Sequence, residues 1–235
     1  MFQYKIIEHM FFIAMMYWPL LKSILTSKYF NKYLSLNMSK NPEKTANNLV
    51  SFSHSISSIL LNTLYFLVQN TPVKETLLKS SYLTSLSYFT YDALLIAINK
   101  DTSSYPYIAH HLAGAVVLED IYNSHNRDLL LYLFLLAEIS NLPNFVVYHL
   151  LKFDTSHYKS NMLYMKYLRL FQVCWFSFFR IFIYSFYIKE CAYNIDHNLT
   201  KLLIVFLFLA GVAWTKGQIV GVYRLFNIKT IKQVN

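Results

Sequence analysis

The chain has 235 residues, of which 55% are hydrophobic and only 14% are charged, and its formal net charge is +9. A soluble domain typically carries about a quarter charged residues, so this deficit predicts an integral membrane protein. The basic residues are dispersed among loops between apolar runs, so we do not expect nucleic acid as a partner. With four glycines in all, the chain has no Gly-rich phosphate loop.

Seven apolar segments, each long enough to cross or nearly cross a hydrocarbon core of about 30 Å, predict an all-α bundle of about seven transmembrane helices. In chain order they are residues 6–25, 48–69, 80–98, 105–123, 128–150, 167–189 and 201–223. The first is the weakest, because Glu8, Pro19 and Lys22 fall within it. The expected divisions are a first span with a basic loop (1–44), a helical membrane domain (45–225) and a short tail (226–235).

Local signals mark the fourth and the seventh segments. Ser103 or Ser104 can cap the fourth helix, and Pro106 suits its first turn. In the seventh segment, Gly217 and Gly221 form a GxxxG pattern, which permits close contact between helices.

The distribution of lysine and arginine predicts the orientation of the chain in the membrane. Thirteen of these residues lie near the loops after the first, third and fifth segments and near the C-terminus, and six lie near the opposite loops. The positive-inside rule therefore places the C-terminus in the cytosol and the N-terminus on the outside or in a lumen.

Ionisable side chains within apolar segments cost a few kcal/mol each unless they face a cavity or a partner. Six such residues are His54, Asp92, His110, His111, Glu138 and Arg180. The first four lie about 9 Å below the cytosolic boundary, at about 1.5 Å per residue, and the last two lie nearer the middle of their segments. We therefore predict a central polar cavity that opens to the cytosol. Lys216 shares the shallower depth, and we interpret it as snorkelling to the interface.

The paired histidines, His110 and His111, are the strongest indication of a catalytic or binding function. A histidine titrates near neutral pH and can act as a general base, a nucleophile or a metal ligand. Asp92 is suited to orient one of them. His54, His110, His111 and Asp92 could supply metal ligands, but the HxxxH and HxxHH boxes of membrane di-iron enzymes are absent, and we expect no metal or other cofactor.

Glu138 and Arg180 are candidates for a buried ion pair. Such a pair can act as a structural staple that sets helix register. Alternatively, Arg180 can recognise a lipid headgroup or the phosphate of an acyl-CoA. The sequence leaves both interpretations open.

Five short pieces, in order, resemble motifs of the TLC-domain family, which is named for the TRAM, Lag and CLN proteins. They are VSFSH at 50–54, SYFTYD at 87–92, the histidine pair at 110–111, EISNLPN at 138–144 and FRI at 179–181. The resemblance implies a polytopic membrane protein, mostly of the endoplasmic reticulum, that is concerned with lipids. In the ceramide synthase branch, the paired histidines are needed to join the acyl group of an acyl-CoA to a sphingoid base.

One departure places the chain nearer to the other TLC proteins. The ceramide synthase motif continues to an HDxSD segment, whereas residues 136–140 read LAEIS here. We therefore predict a role in membrane lipid homeostasis or transport, in the endoplasmic reticulum or a host membrane, with a homodimer left open. The lipid-binding residues expected are His54, Asp92, His110, His111, Glu138, Asn144 and Arg180.

The alternative is an N-acyltransferase of the ceramide synthase type, with acyl-CoA and a sphingoid base as substrates. Its catalytic residues would be His110, His111 and Asp92. A seven-helix receptor or a proton-coupled transporter also fits the number of spans, but the sequence shows no internal inverted repeat.

Overall fold

The computed structural model describes residues 2–27, 42–99, 105–123, 126–152 and 162–227. The helices are α1 (Phe2–Thr26), α2 (Pro42–Leu67), α3 (Thr71–Asn99), α4 (Tyr105–Asn123), α5 (Arg127–Lys152), α6 (Met162–Ser177), a π-helical segment (Phe178–Ile183), α7 (Tyr184–Asn194) and α8 (Asn198–Asn227). The π-helical segment joins α6 to α7 without a break, so the described residues form seven continuous helical rods. The all-α prediction is confirmed.

Local sequence explains where two of the helices begin. The Asn70 side-chain oxygen accepts a hydrogen bond of 3.3 Å from the Val73 backbone N–H, which satisfies a free donor at the start of α3. Pro106 is the second residue of α4, as expected, since a first-turn proline lacks only a donor that would have no partner there. The expected caps at Ser103 and Ser104 lie outside the described residues.

Several helices extend further than their apolar runs, and two of them do so by the most residues. The third begins at Thr71 rather than 80, and the sixth rod runs from Met162 to Asn194 rather than over 167–189. The reason is that a helix can continue beyond its apolar stretch, with its polar end residues facing water. Apolar length therefore measures the hydrocarbon-facing part of a helix and not its whole length.

Six of the rods close into a ring. Around it the order is α2, α3, α4, α8, α6 and α5, and α5 packs back against α2. Helix α4 also contacts α5 across the ring. Helix α1 lies outside the ring, against α2 and α3.

A buried tryptophan holds α1 in place. The Trp18 indole N–H donates a hydrogen bond of 3.0 Å to the Ser87 hydroxyl of α3, and its ring packs edge-on against Tyr88. The side chain is only 1% exposed. This contact satisfies the one polar atom of the indole while the ring fills the space between the helices.

Three stretches of the described helices are long and apolar enough to cross a membrane. They are Arg127–Leu150, Leu163–Asn194 and Asn198–Phe226. Their outward faces carry large apolar side chains such as Phe182, Phe186 and Leu209. Apolar side chains of this kind are what a helix presents to lipid tails.

Candidate functional site

The ring of helices encloses a cavity of about 580 Å³. All six ring helices contribute to its lining and α1 does not. The lining residues lie toward the end of the bundle where α2, α4 and α6 begin and where α3, α5 and α8 end. A volume of this size falls within the range of cavities that bind small molecules, roughly 300–1,000 Å³.

His111 and Asp92 meet in the wall of this cavity. The Nδ1 atom of His111 lies 3.2 Å from a carboxylate oxygen of Asp92, an ion-pair distance between α4 and α3. The two groups are not aligned as a hydrogen bond. The His111 ring stacks on Phe89, with 5.1 Å between ring centres and 10° between their planes. One face of the imidazole is therefore covered, and a carboxylate lies next to its Nδ1 edge.

His110 points in a different direction but borders the same space. Its ring packs edge-on against Trp214 of α8, with 4.9 Å between ring centres, and lies 5.6 Å from the ring of His111. His110 also borders a second cavity of about 30 Å³, which lies deeper in the bundle. Adjacent residues of a helix point about 100° apart. The histidine pair consequently reaches two neighbouring spaces instead of one point.

His54 lies on the α2 side of the main cavity. Its Nε2 hydrogen bonds with the Ser85 hydroxyl at 3.1 Å, and its ring stacks on Tyr88 at 4.1 Å. The Tyr88 hydroxyl donates a hydrogen bond of 2.7 Å to Ser51. With 1% of its surface exposed, His54 mainly supports the wall, since its ring is held by neighbours on α3.

Glu138 and Arg180 are both buried, but each has a serine as its hydrogen-bond partner. Ser55 donates to the Glu138 carboxylate, and the Arg180 Nε donates to the Ser140 hydroxyl at 3.0 Å. Among the described residues, no atoms of Glu138 and Arg180 come within ion-pair distance of each other. The interpretation of these residues as a direct ion pair is therefore wrong. Both border the small deep cavity, and Glu138 also borders the main one.

Arg180 sits in the π-helical segment, which no sequence pattern predicted. A π-helical turn inserts one residue into an α-helix and changes the direction of the side chains that follow, and such turns are frequent at functional sites. The Arg180 side chain is 3% exposed, and its guanidinium lies over the Phe176 ring at 5.9 Å. It does not line the main cavity.

Opposite the histidines, the cavity has a second polar group, which we call the amide–arginine cluster. It consists of Asn144 of α5, Arg169 and Gln172 of α6, and Gln218 of α8. The Arg169 Nη1 donates to the Gln172 side-chain oxygen at 3.1 Å. The Asn144 side-chain oxygen accepts from Gln172 at 2.7 Å and from Gln218 at 3.3 Å. Helices α5, α6 and α8 are thereby joined by one chain of hydrogen bonds.

Only Asn144 of this cluster was expected in the site. Arg169 counted among the loop charges that set the orientation, although it lies seven residues into α6. Gln172 and Gln218 are neutral, so a search for ionisable residues passes over them. Extending that search to amides within apolar segments would have found both, because a buried amide also needs a partner.

Six of the seven expected lipid-binding residues line the main cavity. They are His54, Asp92, His110, His111, Glu138 and Asn144. Arg180 lies one layer deeper, and Lys216 is exposed outside the lining. Within the described ranges, no three His, Cys, Asp or Glu side chains are placed to hold a metal ion together.

Gly217 and Gly221, two of the three glycines of α8, have a different role from the one expected. A Cβ atom added to Gly217 or Gly221 would meet no described atom within 4 Å, and both glycines line the main cavity. The GxxxG pattern therefore leaves open space inside the ring. Among the described residues it makes no close contact between helices, because the spacing alone does not distinguish a contact from a gap.

The fold and the site define a helical membrane-bundle protein with an internal polar cavity. The model of the TLC domain matches residues 44–228, which is most of the chain and begins after α1. The chain belongs to the TLC-domain family. A search of curated proteins finds no match for it.

Proposed function

We propose that this protein binds a lipid in the main cavity and acts in membrane lipid homeostasis or transport. The observation that carries the proposal is the cavity itself, which combines polar groups with aromatic walls inside a membrane bundle. Tyr107, Phe145, Phe176 and Trp214 contribute to those walls. Aromatic and apolar surfaces suit an acyl chain, whereas the few polar groups can orient a headgroup.

The proposed arrangement has seven spans, with the C-terminus in the cytosol and the N-terminus outside or in a lumen. The excess of basic residues at one end of the bundle supports this orientation. The main cavity lies toward the same end, where α2, α4 and α6 begin. The cavity would then open to the cytosol. The membrane would be that of the endoplasmic reticulum or a host membrane. A homodimer remains a prediction.

Filling the cavity tests lipid binding. Gly217→Phe places a ring where a Cβ meets no described atom, so the variant can fold while it occupies the space of the ligand. Val220→Phe is the matched control, because Val220 is 40% exposed on the same helix and outside the lining. Each protein is purified in mild detergent, and the lipids retained per chain are counted by native mass spectrometry.

We expect wild type and Val220→Phe to retain one lipid species in a fixed ratio, and Gly217→Phe to lose it. Equal retention by all three proteins would mean that the lipid lies on the outer surface of the bundle. That result would overturn the proposal. A melting curve for each variant shows whether a loss of lipid reflects a loss of fold.

A second candidate is an N-acyltransferase of the ceramide synthase type. The contact between His111 and Asp92 favours it, because a carboxylate next to imidazole can orient a general base. The amine of a sphingoid base would attack the thioester carbonyl of an acyl-CoA. A C–N bond would form and the C–S bond would break, while His111 passes the amine proton to the departing thiolate. His110 is the alternative base or acyl carrier.

Labelled acyl-CoA and sphingoid base separate the two functions. Under the enzyme proposal, the purified protein forms ceramide, and His111→Ala and Asp92→Asn both abolish the product. His197→Ala is the control, since His197 is an exposed histidine whose partner is Asp120, outside the cavity lining. If a melting curve shows folded protein and the assay yields no ceramide, the acyltransferase proposal is excluded and the lipid-binding proposal stands.

A further inference from the structure

Neither proposed function assigns a role to the other three members of the amide–arginine cluster, Arg169, Gln172 and Gln218. Arg169 is the one Lys or Arg among the described residues that line the main cavity. It is half-buried, and its Nε atom is buried without a hydrogen-bond partner in the described part of the chain. A guanidinium carries five N–H donors, and a single contact to Gln172 occupies one of them. Arg169 therefore has unused donors in a partly desolvated place.

Two of the three amide oxygens of the cluster accept hydrogen bonds from within it. The Gln172 oxygen accepts from Arg169, and the Asn144 oxygen accepts from both glutamine side chains. The Asn144 amide N–H₂ has no partner among the described residues. Two neighbouring amide oxygens are thus engaged, while N–H groups of Asn144 and Arg169 remain available. Such an imbalance selects a ligand group that accepts hydrogen bonds.

The charge of Arg169 indicates that the accepting group is an anion. Two other arginines are accommodated within the protein, since Arg127 pairs with Glu75 at 2.7 Å and Arg180 bonds Ser140. No described carboxylate lies within ion-pair distance of Arg169. Because an unpaired, partly buried charge is costly, an oxyanion at this place would be stabilised by a guanidinium that offers two parallel donors.

We propose that Arg169, Gln172 and Asn144 bind the oxyanion headgroup of a lipid, a phosphate or a carboxylate. This inference rests on the proposed function, because it places the acyl chain of that lipid along the aromatic walls of the cavity. The buried Gln218 side-chain oxygen, which also lacks a partner in the described chain, provides an acceptor for a hydroxyl of the headgroup or for a water molecule. The headgroup then lies across the cavity from the His111–Asp92 contact.

The test compares photoactivatable lipids with identical chains. Phosphatidic acid, a fatty acid and the neutral diacylglycerol are titrated against the purified full chain in detergent micelles, and the labelled peptides are mapped. Inorganic phosphate is added as a competitor. We expect the half-saturating concentration to be about 10- to 100-fold lower for an oxyanion lipid than for diacylglycerol, as one or two charge-assisted hydrogen bonds would give.

Two variants remove the preference in different ways. Arg169→Gln deletes the charge, and Gln172→Glu supplies an internal carboxylate at the position that accepts from Arg169 at 3.1 Å. In both variants, the half-saturating concentrations of the oxyanion lipid and of diacylglycerol should differ by no more than about twofold. Arg224→Gln should keep it, because Arg224 is an exposed arginine at the same end of α8 as the cluster and lies outside the lining.

Each outcome decides between the two proposals. Equal labelling of the cavity by charged and neutral lipids overturns the headgroup site and leaves lipid binding standing. Absence of label from the cavity overturns both. Displacement of phosphatidic acid by inorganic phosphate at an equal concentration would mean a site for the free anion and would overturn the lipid assignment. If Arg169→Gln does not fold, an unchanged preference in Gln172→Glu is sufficient to refute the site.

Discussion

The contact between Gly114 and Phe89 provides a quantitative test of the packing around the histidines. A Cβ atom added to Gly114 would lie 2.8 Å from one ring carbon of Phe89 and 3.3 and 3.4 Å from two others. Phe89 has little freedom to move, because its ring stacks on His111 and packs edge-on against Phe134. Gly114→Ala should therefore displace Phe89 and with it the imidazole of His111.

The magnitude follows from two opposing effects. Replacing glycine by alanine in a helix stabilises it by about 1 kcal/mol. Overpacking of a well-filled core costs about 1–3 kcal/mol. Gly217→Ala gains the helix stabilisation without any overpacking cost, since a Cβ there meets no described atom within 4 Å. The two variants have the same chemical change, and the overpacking cost of about 1–3 kcal/mol separates them.

The assay follows the reaction of a buried thiol with a fluorogenic maleimide during heating. Cys191 is 2% exposed and reacts only when the bundle opens, whereas Cys174 is exposed and is first replaced by serine. A chain of this length changes its melting temperature by about 2–4 °C per kcal/mol. Gly114→Ala should therefore melt roughly 2–12 °C below Gly217→Ala.

The reasoning fails if Gly114→Ala is as stable as Gly217→Ala. A stability difference without a change in lipid retention would show that Phe89 moves away from His111 without disturbing the cavity. Retention is measured on both variants by native mass spectrometry. A loss confined to Gly114→Ala is the expected result, because Phe89 and His111 both line the cavity.

Three further substitutions test the buried hydrogen bonds, each by the same thermal assay. Ser140→Ala removes the acceptor of Arg180 and should destabilise the fold by about 1–3 kcal/mol, and a smaller loss would mean that the guanidinium finds another partner. Asn62→Ala removes the buried amide that joins α2 to α3 and should also lower the free energy of unfolding by about 1–3 kcal/mol. An unchanged melting temperature would mean that the hydrogen bonds of this amide do not stabilise the fold. Trp18→Phe loses the bond to Ser87 and should cost about 0.5–1.5 kcal/mol; unchanged melting would show that α1 is held by apolar contact alone.

The helices could be predicted because their signal is local. A backbone in hydrocarbon must satisfy its own hydrogen bonds, so a long apolar run has helix as its natural structure. Start signals such as Pro106 are local as well. The π-helical segment around Arg180 could not be predicted in this way, because the residues Phe178–Ile183 are apolar and aromatic like their neighbours.

The sequence identified residues of the site one by one, from the free-energy cost of placing each polar side chain in hydrocarbon. A charge or an imidazole in an apolar segment is energetically costly unless it has a partner or faces a cavity. This cost singles out His111, Asp92 and Glu138 in the sequence. The packing of the helices decides which of these side chains contact one another. Asp92 contacts His111, whereas Glu138 and Arg180, the pair that charge alone would join, are each bonded to a serine instead.

The sequence by itself determined the helical membrane bundle, its family and the histidine pair near one end of the fourth segment. These depend on composition and short motifs, which are properties of contiguous residues. Only the tertiary structure decided that Asn144, Arg169 and Gln172 lie together, and that Gly217 borders open space. Those residues come from three different helices, and only the packing of the ring determines which donors are left without an acceptor.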